Sequence, residues 1–134
     1  DEAKSRAADT MELSVDLVDL SFETDHYFVF NGHVSEKKLF SKKNRHHVLV
    51  LDRFGRQKLT LTNAKIFQGG KISILEELDD FLESRNNDIA PQVYLLNNLK
   101  LIDFSSLTSI SHILNAVQQE LDSSEKAAVI VELS

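Results

Sequence analysis

The chain has 134 residues, with 15 Lys and Arg against 21 Asp and Glu for a formal net charge of −6 at pH 7, hydrophobic residues at 42% and no cysteine. That size suits one domain able to bury a core without metal or disulfide. The composition excludes disulfides, thiolate nucleophiles and cysteine-held zinc, no apolar run is long enough for a bilayer-spanning helix, and no basic segment followed by an apolar one resembles a signal peptide. Asp1 in first place reads as the start of a fragment of a longer chain, and the lack of cysteine is compatible with the cytosol.

In chain order, residues 1–12 (DEAKSRAADTME) lack apolar periodicity and are expected to stay loose, leaving 13–134 as a single domain. Leu13, Val15 and Leu17 alternate with polar residues. Residues 27–34 (YFVFNGHV) are aromatic and β-branched, with Asn31 and Gly32 placed for a bend or bulge, and both stretches read as strands. HHVLVLD (46–52) and QKLTLTN (57–63) flank RFGR, a hairpin signal in which Val48 and Val50 face one side and Leu49 and Leu51 the other. AKIF, Gly69-Gly70 and KISIL give a further strand, turn and strand. From Glu76 to Asn87 the chain reads either as a short helix with Leu78, Phe81 and Leu82 on one face or as an acidic strand, and continuation of the strand is preferred.

After Pro91, VYLL and LKLIDF are joined by Asn97-Asn98 as a two-residue hairpin. Leu107, Ile110, Leu114, Val117 and Leu121 then predict an amphipathic helix, with Ser105 and Ser106 as its caps, before AAVIVEL adds a strand or strap.

The most informative stretch is 37–58, KKLFSKKNRHHVLVLDRFGRQK. It holds eight of the fifteen basic residues, Lys37, Lys38, Lys42, Lys43, Arg45, Arg53, Arg56 and Lys58, against one acid, Asp52, so it carries +7 while the remainder carries −13. Such a run gains about 1 kcal/mol per Lys or Arg at an anionic leaflet, screened by salt. Leu39 and Phe40, flanked by lysines, are expected to enter the headgroup boundary, and the planar fork of Arg45 suits a bidentate phosphate contact. Two plainer readings compete: a basic run that only keeps a strand edge solvated, and Leu39 and Phe40 packed inward.

Adjacent on a strand, His46 and His47 point to opposite faces and cannot share a metal, and His26, His33 and His112 are scattered. No nucleophile elbow, paired-carboxylate pattern, HExxH or phosphate-cradling glycine loop occurs. The chain is therefore read as non-catalytic, with no cofactor and no metal.

Strands in hairpin series before one helix predict a mainly β fold, a small antiparallel barrel or sandwich capped by one amphipathic C-terminal helix. With Gly32, Val34 and Lys37 closing a first strand, and Lys38, Lys43, Arg45 and VLVL following, residues 27–123 resemble a pleckstrin-homology domain. LDRFGRQKLTLTNAKIF is more loosely similar to the tail-homology domain of class I myosins. The first resemblance implies headgroup contacts from Lys38, Lys43 and Arg45, although the chain has no tryptophan for the closing helix. The second implies Arg53, Arg56 and Lys58, with Val50 standing where that family has lysine.

Either resemblance implies a binding module of a larger cytosolic protein, peripheral to the membrane and docked on anionic lipid such as a phosphoinositide. A module that binds a peptide or partner chain on a strand edge or beside the C-terminal helix is the second reading. Nucleic acid ranks third, because Phe40 and Phe54 interleave with cations but the chain is acidic overall. LKLIDFSS to the end also resembles the strand, helix, strand of the anti-sigma-factor antagonist fold, through Asp103 and a serine before the helix. It lacks that family's glycine and upstream βα alternation.

Overall fold

The computed structural model describes residues 2–39, 41–85, 90–121 and 126–133, including the side chains of all of these except 36–38, 42 and 43. Among the described residues the fold is mainly β, with two four-stranded sheets and three α-helices, and neither sheet closes into a barrel. Contacts divide the chain into two compact units, residues 1–64 and residues 65–133. No helix of the described residues is long and apolar enough to cross a membrane.

The first unit begins with an element that the hydrophobic pattern does not announce. Residues expected to be loose form helix α1 (Glu2–Met11), with Ala7, Ala8 and Met11 buried. Alanine is the best helix former and contributes little to an apolar periodicity count, so a face built from alanines looks polar in sequence. The helix closes through Glu12 at φ 58, with the Leu13 N–H donating to the Ala8 carbonyl at 3.0 Å. That left-handed residue and backward hydrogen bond satisfy carbonyls at the helix end.

A short 3₁₀ turn at Val15–Leu17 replaces the strand expected there. It leads into β1 (Val18–Glu23), β2 (Tyr27–Lys38), β3 (Ser41–Asp52) and β4 (Gln57–Leu61), an antiparallel meander in that order. Alternation places Phe30, Leu49 and Leu51 with Val18 against Ala7, Ala8 and Met11 of α1 in one core cluster. Val48 and Val50, on the opposite face of β3, are buried as well.

The second unit contains β5 (Ala64–Gly69) from its second residue on, α2 (Lys71–Glu83), β6 (Val93–Leu96), β7 (Leu101–Asp103), α3 (Ile110–Glu120) and β8 (Ala127–Glu132), with sheet order β5-β8-β6-β7. The strand expected through KISIL and on toward Asn87 is instead α2. Ile74, Leu78 and Leu82 recur every fourth residue and are wholly buried. Local chemistry hid the start, because the N-cap is Gly70 and no side chain caps the first turn. The expected segment's last residues, 86 and 87, lie outside the described residues.

The hairpin of VYLL and LKLIDF forms, but its turn lies one residue later than expected. Leu96 pairs with Leu101, and the Asn97 N–H donates to the Lys100 carbonyl at 3.1 Å. Asn97 works through its side chain rather than through positive φ, its Oδ1 accepting from the N–H groups of Leu99 and Lys100.

Helix α3 is capped by Ser109, whose side chain accepts from the His112 N–H, not by Ser105 or Ser106. It packs Ile113 and Val117 with Ile74, Leu78 and Leu82 of α2 and with Val93, Leu95, Val129 and Val131 of the sheet. AAVIVE is no strap. It lies between β5 and β6, and its continuous apolar run reflects burial of Ala127 through Val131. The fold thus departs from a series of strands closed by one helix: α2 falls between the fifth and sixth strands, and β8 follows α3 into the sheet.

Candidate functional site

β2 and β3 are much longer than their neighbours. They pair rung by rung from Tyr27↔Asp52 to Lys38↔Ser41. β1 accompanies β2 only between Phe28 and Gly32, and β4 accompanies β3 only between Val48 and Leu51. Among the described residues, His33–Lys38 and Ser41–His47 therefore stand as a two-stranded ribbon with no third strand. At ~3.3 Å per residue this arm is about 20 Å long.

The four lysines Lys37, Lys38, Lys42 and Lys43 belong to its outer end, where Lys37 pairs with Lys42 in the backbone register. Leu39, in the turn, is 90% exposed, so the expectation that it packs inward does not hold for it. Phe40, named with Leu39 for membrane insertion, lies outside the described residues. Arg45 is on the arm nearer the sheet, half-buried and paired across from Val34.

The remaining basic residues are elsewhere. Arg53 and Arg56 follow the far end of β3, about 35 Å along the strand from Lys42 and Lys43. One basic stretch in sequence thus becomes two groups at opposite ends of a strand. The second group is also compensated by carboxylates.

Arg53 Nη2 lies 3.0 Å from Glu23 Oε2 and donates to the Thr24 carbonyl, and its guanidinium stacks 4.1 Å from the centroid of Phe28. Arg56 Nε donates to Asp52 Oδ2 at 2.8 Å, and Lys58 Nζ is 3.9 Å from the same oxygen. Asp52 Oδ1 accepts from the N–H groups of Phe54 and Arg56, each at 2.9 Å.

Asp52 is thereby the organiser of the β3–β4 loop rather than a stray acid in a basic run. Burial alone would raise its pKa. The Arg56 N–H and guanidinium and the Phe54 N–H together outweigh that and hold the carboxyl below the usual range. Gly55 completes the loop at φ +83, a conformation that favours glycine, and any Cβ there would strike the Arg6 guanidinium of α1. The loop leaves Phe54 80% exposed. An aspartate at the first position of a short glycine-containing loop is a legible turn signal, and it could have identified this role.

Folding also joins residues that are far apart in sequence. His33 and His46 pair across β2 and β3 with ring centroids 4.8 Å apart, so His33 is not scattered. His47 has its pKa lowered, by burial first and by the nearby Arg45 second. No group of three or more His, Asp or Glu suited to a metal ion occurs among the described residues. No family model, curated protein or solved structure matches the chain.

Proposed function

We propose that this chain is a non-catalytic binding module of a larger cytosolic protein, docking peripherally on anionic membrane lipid, a phosphoinositide headgroup in particular, through the β2–β3 arm. The observation that carries the reading is the arm itself, a ribbon that outruns both flanking strands and ends in the lysine-rich turn with Leu39 open. Residues 36–45 hold five cations and one acid, +4 in all, against −10 for the rest of the chain. At about 1 kcal/mol per cation the arm gains several kcal/mol at an anionic leaflet, and the acidic remainder orients it by repulsion. Arg45 is the side chain suited to bidentate phosphate contact.

Arg53, Arg56 and Lys58 are assigned to the β3–β4 loop instead, since their carboxylates are already in place. The likeness to pleckstrin-homology domains enters this proposal through the single hairpin bearing Gly32, Lys38, Lys43 and Arg45. The order of helices and strands that follows does not support it.

Sedimentation with vesicles of neutral lipid, with and without phosphatidylserine and a phosphoinositide, tests the reading. Capture is expected only by the anionic vesicles, with loss at about 0.5 M salt and in Lys38→Glu/Lys43→Glu, and with little change in Arg53→Gln. Capture that ignores both salt and the arm substitutions refutes it. One observation favours a peptide-binding module as the second reading. β1 is a sheet edge flanked by Val15, Leu17 and Leu20, each more than 40% exposed, where an extended peptide could add a strand. Salt-insensitive partner capture, lost on Leu20→Glu, would favour it.

A further inference from the structure

The tip of the arm carries a hydroxyl as well as cations. Ser41 is the first residue of β3, is exposed, and pairs with Lys38 across the last rung of the ribbon. Lys37 and Lys38 precede it by four and three residues, and Lys42 and Lys43 follow directly. Among all Ser and Thr of the sequence, Ser41 alone has two Lys or Arg within four positions on each side.

We propose that Ser41 is a phosphorylation site for a protein kinase that selects basic substrates, and that its phosphate switches off docking by the arm. The switch rests on the docking reading above; the modification site does not. A kinase takes its substrate as an extended segment, so the end of the hairpin must open. A two-stranded ribbon is marginally stable by itself, and unpairing Lys38↔Ser41 and Lys37↔Lys42 removes only its outermost rungs. The three- and four-stranded part, from Gly32 inward, keeps its pairing.

In the transfer, Ser41 Oγ attacks the γ-phosphorus of ATP held by the kinase, and the bond to the bridging oxygen breaks to release ADP. The hydroxyl proton passes to the kinase's catalytic carboxylate. The product adds about −1.5 to −2 charges to a segment that carried +4. Removing about two of the charges facing an anionic leaflet weakens capture by about ten- to thirty-fold.

The test treats the intact chain with ATP and the catalytic domain of a basic-substrate kinase. Phosphate is mapped by mass spectrometry, and the two forms are compared on vesicles that contain both phosphatidylserine and a phosphoinositide. Phosphate is expected on Ser41 and absent from that tryptic segment in Ser41→Ala. Capture of the phosphorylated wild type should fall by about ten- to thirty-fold, while kinase-treated Ser41→Ala binds as before. A map without phosphate at Ser41 overturns the site. Vesicles that capture both forms equally overturn the switch and leave the docking reading standing. Vesicles that capture neither form overturn docking and the switch together, and the phosphate map still decides the site.

Discussion

Gly32 sits at the last rung shared by three strands, where the arm leaves the sheet, and replacing it tests how that exit is built. A Cβ at this position would lie 2.5 Å from Leu13 Cδ1 and 3.2 Å from Met11 Sδ, beneath the end of α1. Carbon atoms prefer roughly 3.5–4.0 Å, so the methyl of Gly32→Ala intrudes by about 1 Å or more. Overpacking of this kind costs about 1–3 kcal/mol. Gly32 is not among the residues with positive φ, so alanine recovers about 0.4–1 kcal/mol by stiffening the unfolded chain. Both contacts are the ends of side chains that can give way, so the net expectation is a loss of no more than about 1–2 kcal/mol.

Leu13→Ala removes the opposing side chain and should cost about 1–2 kcal/mol alone, because Leu13 is only partly buried against this core. In the double variant the new methyl fills space that the leucine vacated, so the combined loss should fall short of the sum by about 1 kcal/mol or more. With no tryptophan in the chain, urea unfolding followed by circular dichroism is the natural assay. Strictly additive losses would refute the packing of Leu13 over this strand.

Two further predictions concern titration. Asp52 has its carboxyl held below the ordinary value near 3.8, so its contribution is present above that pH and lost as pH falls through the depressed folded value. The stability gap between wild type and Asp52→Asn should therefore be wide at neutral pH and shrink in acid; a gap that does not change with pH would count against the carboxylate's role in the loop. For His47 the folded pKa lies below the ordinary histidine value of 6.5. Above 6.5 both states are neutral there and stability is at its plateau. As pH falls toward the folded value the unfolded chain protonates first and stability declines. Replacing His47 with Gln should flatten that segment of the pH profile, and an unaltered slope would show that another group carries it.

Much of the strand content can be read directly from the sequence, because a half-buried strand prints its alternation locally. Tyr27–Val34, Val48–Leu51, the Asn97 hairpin and the terminal Ala127–Val131 run all lie in strands. Helix α3 is legible in its existence, since large apolar residues recur at helical spacing, but Leu107 precedes it and its buried residues are Ile113 and Val117, of which only Val117 belongs to the expected face. The order of residues also concentrates cations between Lys37 and Lys58.

Where those cations go is a matter of tertiary structure. Twelve rungs of β2–β3 pairing carry Lys42 and Lys43 to one end and Arg53 and Arg56 to the other, and Glu23 and Asp52 then claim the second group. Helix α1 and the start of α2 were hidden for a related reason: an alanine face and a glycine N-cap have little local signature until a core lies against them. The local pattern specified which residues alternate, whereas partner strands and packed helices specified which charges remain open and which are already answered. A chain's pairing register is a long-range property that no short window contains.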